Sequence, residues 1–159
     1  MSTKNDYTPE EWNLVMSGPV VAGSMVVMSD PSIFGSIKES FRIAQTIQKA
    51  ALASDAQVIR DIGLAYQNKA KPQTPELPRD RGKAGAMDVL LQTVQEAAST
   101  VSDHDPAEGD AYRRFLVEVA QATAEASKEG GFLGIGAVRV SEDEEAAIER
   151  LRTTLDTGI

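Results

Sequence analysis

The sequence predicts an all-α fold, a single compact bundle of about six helices. Apolar residues recur at helical spacing in six segments, and no segment shows a convincing strand alternation. Four pairs also have the spacing of a capping box, in which an N-cap side chain and a residue three positions later satisfy each other's free amides. These pairs are Thr8–Glu11, Ser54–Gln57, Asp105–Glu108 and Ser141–Glu144.

The first helix is predicted over about residues 9–28. Its apolar face comprises Trp12, Val15, Met16, Pro19, Val20, Gly23, Val26 and Val27. Pro19 lies inside it and predicts a kink or a division into two short helices, because proline lacks the N–H that a helix interior needs. The small residues Gly18, Ala22 and Gly23 indicate close approach of another helix.

The remaining helices follow from the same periodicity, with turns at residues 29–32 and 102–105. They are expected over about 32–52, 54–68, 84–101, 106–129 and 142–156. Residues 69–82 contain three prolines among polar side chains and predict a stiff loop inside one domain. We expect residues 1–7 to be disordered, and only residues 137–140 have any strand character.

Length, net charge and cysteine content limit the kinds of partner and chemistry that the protein can have. A chain of 159 residues is one ordinary domain. Its net charge of −8 argues against nucleic acid, because phosphate binding needs clustered lysine and arginine. The absence of cysteine excludes disulfides, thiolate catalysis and cysteine-based metal sites.

The sequence also predicts no membrane span and a cytoplasmic location. The longest apolar run, Val20 to Met28, is far shorter than the roughly 20 residues that a span requires. The first residues have no apolar signal-peptide core.

The segment between the fifth and sixth predicted helices is the candidate site. It has four glycines within residues 130–136, interrupted by apolar side chains. Glycine reaches backbone angles that other residues avoid, whereas a flexible linker would be polar. We therefore expect an ordered binding or assembly surface, although a connector that only joins two helices explains the pattern equally well. The candidate residues are Gly130, Gly131, Phe132, Leu133, Gly134, Ile135, Gly136 and Arg139.

Other polar clusters have structural explanations. The acidic run at residues 142–145 suits a helix N-terminus, whose dipole attracts carboxylates. Acidic residues around His104, the single histidine, miss the calcium-loop spacing, and His104 follows no Glu-x-x-His motif of a di-iron site. The Gly134-Ile135-Gly136 turn matches no phosphate-binding pattern. We expect no catalytic residue, metal ligand or cofactor.

Two stretches carry a family resemblance. One is Thr8-Pro9-Glu10-Glu11-Trp12 with the Gly18-Pro19 apolar run, and the other is Phe115 to Glu145 with Lys128-Glu129-Gly130-Gly131-Phe132-Leu133-Gly134. Together they resemble a group of uncharacterised bacterial all-helical proteins, which implies a small cytoplasmic helical domain and no assigned activity. A glycine turn before Val-Ser-Glu-Asp-Glu is also similar to tellurite-resistance B-type helical domains, whose turns hold acidic metal ligands. Here apolar residues and glycine replace the expected aspartate.

Three hypotheses about function follow. The first is a non-enzymatic interaction or scaffold module that binds itself or another protein. The second is a small-molecule or metal-responsive bacterial stress protein that uses residues 128–145 as its site. The third is a hydrolase, which would need a pocket holding carboxylates with perturbed pKa values.

Overall fold

The computed structural model describes residues 1–29, 37–129 and 140–156. These residues form a helical bundle, and no strand occurs among them. A short 3₁₀ helix at Lys4–Asp6 precedes six α-helices: α1 (Pro9–Ser29), α2 (Ile37–Leu52), α3 (Gln57–Gln67), α4 (Gly82–His104), α5 (Pro106–Glu129) and α6 (Glu142–Asp156). The all-α prediction is confirmed.

The ends of two helices differ from the sequence prediction. The expected turn at residues 102–105 is nearly absent, because Ser102–His104 form the last turn of α4 and only Asp105 has an extended backbone. Helix α3 begins at Gln57 and not at residue 54. The bounds predicted for α5 and α6 are confirmed.

Helix α1 lies at the centre of the bundle. It packs against α2, α4, α5 and α6, and it is buried on more than the single face that the periodicity predicted. Val21, Ala22 and Met25, which lie off that face, are all at most 1% exposed. Pro19 lies inside α1, which continues past it as one helix. A helix that is apolar all round is typical of the core of a protein.

Small residues on α1 bring the neighbouring helices close, as predicted. A Cβ placed on Gly18 would lie 2.1 Å from the Tyr112 hydroxyl oxygen of α5. At Gly23 it would lie 3.0 Å from Ile43 of α2 and 3.2 Å from Thr123 of α5. Distances this short leave no room for a larger residue, so the glycines set how near α2 and α5 come to α1.

Two of the four predicted capping boxes are complete. At α1 the Thr8 amide donates to Glu11 Oε2 at 2.8 Å, and the Glu11 amide donates to Thr8 Oγ1 at 3.2 Å. At α6 the Ser141 amide donates to Glu144 Oε2 at 2.8 Å, and the Glu144 amide donates to Ser141 Oγ at 3.3 Å. Glu144 is fully buried, so this box is also part of the core.

The other two boxes are not formed as predicted. Ser54 Oγ accepts from the Ala56 amide at 3.2 Å, not from Gln57. Asp105 does cap α5, because its Oδ1 accepts from the Ala107 amide at 3.0 Å and the Glu108 amide at 3.2 Å. Its partner Glu108 does not fold back on Asp105, because its carboxylate binds two distant segments of the chain.

The predicted loop and the N-terminal residues are both attached to the bundle. In the loop, the Gln73 amide donates to Asn13 Oδ1 at 2.9 Å, and Asn13 Nδ2 donates to the Gln73 carbonyl at 3.1 Å. Contrary to the disorder expected for residues 1–7, Ser2 is 4% exposed and Tyr7 is 7% exposed. The backbone amide of Lys4 also donates to Asp61 Oδ2 of α3 at 2.9 Å.

Candidate functional site

All eight residues of the candidate site predicted from the sequence lie outside the described residues. These are Gly130, Gly131, Phe132, Leu133, Gly134, Ile135, Gly136 and Arg139. The described chain stops at Glu129, the last residue of α5, and resumes at Val140 beside the Ser141 cap of α6. Whether the segment binds anything therefore stays a prediction.

A groove that the sequence did not predict runs along the outward face of α5. We call it the α5 groove, and its floor consists of Ala111, Arg114, Glu118, Gln121 and Glu125. Three cavities of about 300, 280 and 590 Å³ succeed one another along this face. The first two share Arg114 and Glu118, and the second and third share Gln121 and Arg152. Shared lining residues make the three cavities neighbours along this face of α5.

The walls of the α5 groove come from different parts of the chain. Helix α6 forms one wall with residues that include Glu145, Glu149 and Arg152. The corner between α2 and α3, at residues 50–59, forms the wall at the other end. From Ala111 to Glu125 the floor is about 21 Å long at 1.5 Å per helical residue. This length corresponds to about four turns of a docked helix.

The α5 groove is rich in carboxylates, with arginines gathered at its middle. Its acidic residues are Asp55, Glu118, Glu125, Glu142, Glu145, Glu149 and Asp156. Its basic residues are Arg113, Arg114 and Arg152. The end nearest residue 140 holds four of the carboxylates and one arginine. Such a surface favours a positively charged partner, with a cationic group at the acidic end.

A second polar cluster surrounds Glu108, which is 5% exposed. The Ser2 amide donates to Glu108 Oε2 at 2.8 Å, and the Ser2 hydroxyl donates to the same oxygen. The Gln57 amide, at the start of α3, donates to Glu108 Oε1 at 3.0 Å. Within residues 1–29, 37–129 and 140–156, no lysine or arginine pairs with this carboxylate.

Two helix N-termini and the Met1 ammonium provide positive charge near Glu108. The residue lies in the first turn of α5, and it accepts the first amide of α3. Each N-terminus carries a partial positive charge, which stabilises a nearby carboxylate. The Glu108 carboxylate therefore holds the starts of α3 and α5 and the N-terminal residues together. Its bonds are internal and buried, which makes it a structural centre and not an open site.

The acidic run at residues 142–145 begins α6, as its structural explanation predicts, whereas His104 lies in a helix and not in the predicted turn. Glu118 and Glu125 are exposed on α5. His104 ends α4, and its ring lies 4.3 Å from the ring of Tyr7, measured between centroids. Within the part of the chain that is described, no three His, Asp or Glu side chains form a group that could hold a metal ion.

Helix α1 is long and apolar enough, by length and composition alone, to cross a membrane. Its uninterrupted apolar run is shorter, because Ser17, Gly18 and Pro19 precede Val20. Of its most apolar 18-residue window, 67% is buried inside the bundle. Burial of this extent is typical of a helix in the core of a protein.

No family model, curated protein or solved structure matches this chain. The resemblances to bacterial all-helical proteins and to tellurite-resistance B-type domains therefore stay predictions. The α5 groove is the described feature with the shape of a binding site.

Proposed function

We propose that this protein is a non-enzymatic interaction module, and that the α5 groove receives a helical segment of its partner. The succession of three neighbouring cavities along one helix is the observation that supports this role. A floor of about 21 Å, bounded by α6 toward one end and by the α2–α3 corner toward the other, suits an inserted helix better than a small ligand. The excess of carboxylates over arginines favours a partner segment that carries lysine or arginine.

Affinity capture with charge-reversed variants tests the proposal. The groove variant is Glu125→Lys with Glu145→Lys, both exposed at the acidic end. The matched control, Glu76→Lys with Glu96→Lys, changes the net charge equally at exposed positions on the loop and α4. We expect the unmodified protein and the control to capture the same partner, which is another protein or a second copy of this chain. We expect the groove variant not to capture it. Identical profiles from all three would contradict the proposal.

One observation favours the second hypothesis, a small-molecule or metal-responsive protein. The cavity of about 590 Å³ is lined in part by Val140, Glu142 and Glu145, at the end of the 128–145 region. A volume of this size is within the range of small-molecule sites. A thermal-shift screen against metabolites and divalent cations tests this reading, because a ligand that prefers the native state raises the melting temperature. Saturable stabilisation that Glu145→Lys removes supports it, and no shift counts against it.

A further inference from the structure

Two of the three arginines in the α5 groove are paired within the fold, and the third is not. Arg113 donates to Asp110 at 2.9 Å, and Arg152 lies 3.6 Å from Glu149. In the part of the chain that the structure describes, the exposed Arg114 has no carboxylate within ion-pair distance. Arg114 lines both the cavity of about 300 Å³ and the cavity of about 280 Å³, so a segment that fills either one lies beside it.

The acidic end of the α5 groove has the opposite imbalance. Of the four carboxylates that line the cavity of about 590 Å³, Glu149 lies near a basic side chain. The other three, Glu125, Glu142 and Glu145, are exposed and have no basic partner among the described residues. The fold therefore leaves a positive charge unbalanced at one place in the groove and negative charge unbalanced at another.

The distance between the two places corresponds to whole turns of a helix. Arg114 and Glu125 are eleven residues apart on α5, which is about 16 Å or three turns. A partner helix that lies along α5 spans this distance with about eleven of its own residues, and two residues at that spacing share one face. The half-buried Val117 lines the cavity between them and offers an apolar contact to the middle of such a helix.

We propose that the helix received by the α5 groove is bipolar on its contacting face. An aspartate or glutamate of the partner pairs with Arg114, and a lysine or arginine about eleven residues away pairs with Glu125 and Glu145. A helix that is basic along its whole length is repelled by Arg114, and an acidic one is repelled at the other end. The selectivity rests on the function proposed above, because it concerns the helix that the groove receives.

Charge reversal at Arg114 separates two kinds of partner by the sign of its effect. Each protein carries a photoreactive amino acid in place of Gln121 on the groove floor, and the crosslinked partner is measured after irradiation in cells. We expect Arg114→Glu to lower the crosslink yield about fivefold, because a carboxylate of the partner then faces a carboxylate. Arg79→Glu, an equal change of net charge at an exposed loop position, should leave the yield unchanged. A partner helix that is basic throughout gives the opposite result, a higher yield with Arg114→Glu.

The crosslinked segment provides a second test. Mass spectrometry locates it, and its acidic residue should lie about seven positions from the crosslink, the spacing of Arg114 and Gln121. Replacing that residue by lysine should restore the yield with Arg114→Glu, which a merely destabilised variant would not show. If Arg114→Glu does not fold, Arg114→Gln removes the charge and should still lower the yield.

The outcomes distinguish this selectivity from the function on which it rests. An unchanged or higher yield with Arg114→Glu overturns the bipolar pattern and leaves the proposed function standing. A crosslinked segment without acidic and basic residues at this spacing does the same. If the unmodified protein forms no crosslink from position 121, the proposed function fails and the bipolar pattern fails with it.

Discussion

The Tyr112 hydroxyl donates a hydrogen bond of 2.5 Å to the backbone carbonyl of Val15, 97 residues away. In an unbroken helix this carbonyl accepts a hydrogen bond from the backbone N–H four residues later. That residue is Pro19, which has no backbone N–H. Tyr66 donates in the same way to the next carbonyl, that of Met16, at 2.8 Å. Tyr112 therefore supplies the donor that Pro19 lacks, and Tyr66 binds the adjacent carbonyl.

The first prediction concerns this hydrogen bond. Replacing Tyr112 by Phe leaves the Val15 carbonyl buried and unpaired, and we expect a loss of about 1–3 kcal/mol in the free energy of unfolding. In a Pro19→Ala background the new N–H can pair with Val15, so the same replacement costs less. Urea unfolding of the four proteins measures the difference. An equal cost in both backgrounds would show that Tyr112 does not compensate for Pro19.

The second prediction concerns the space beside Tyr112. Gly18→Ala places a Cβ against the Tyr112 hydroxyl, at 2.1 Å without rearrangement. Moving the ring disturbs a fully buried site, and overpacking of this kind costs about 1–3 kcal/mol. We expect Ser24→Ala, a partly exposed change on the same helix, to alter stability by less than about 0.5 kcal/mol. Similar unfolding midpoints for the two variants would contradict close packing at Gly18.

The third prediction concerns Glu108. Glu108→Gln keeps the size of the side chain. It removes the negative charge that two helix N-termini stabilise, and it also removes one of the two acceptor oxygens. Hydrogen bonds to charged groups contribute about 1.5–3 kcal/mol, and we expect a loss of that order. Glu118→Gln, on the exposed side of α5, is the control and should be nearly neutral. If both variants unfold at the same urea concentration, the buried carboxylate does not hold the helix starts together.

The fourth prediction is a loss of stability in acid. Hydrogen bonds lower the pKa values of three carboxylates. The Met1 amino group donates to Asp105, Thr3 donates to Asp6, and Thr8 donates to Glu11. A carboxylate whose pKa is lower in the folded than in the unfolded protein stabilises the fold at a pH above its unfolded pKa of about 4. This stabilisation is lost as the pH falls through the pKa of the folded protein. The urea midpoint should therefore fall between pH 5 and pH 3, and it should fall less in Asp105→Asn. An identical slope for that variant would argue against the Asp105 contact.

Local patterns in the sequence were sufficient for several elements. Thr8 and Ser141 bind partners three residues away, so the capping-box spacing predicts these helix starts correctly. The sequence of α1 also indicates burial on every side, because its apolar residues surround the whole helix. The prediction from periodicity used only one of its faces. The box assigned to Ser54 failed because Glu108, 51 residues from Gln57, supplies the cap of α3.

The candidate site was less predictable for a physical reason. Arg114, Glu118, Gln121 and Glu125 form an ordinary polar stripe on an amphipathic helix, and such a stripe usually indicates a solvated face. It becomes the floor of a groove only because α6 and the α2–α3 corner pack next to it and project above it. Their positions depend on packing around α1, including the approach that Gly18 and Gly23 permit, and not on the sequence of α5.

Photo-crosslinking from the floor of the α5 groove tests the proposed function most directly. A photoreactive amino acid replaces Gln121 in one protein and Gln92, an exposed glutamine of α4, in the control. If the groove receives a partner segment, irradiation in cells links a defined protein, or a second copy of this chain, to position 121 and not to position 92. The same crosslinks from both positions, or none from position 121, would contradict the account.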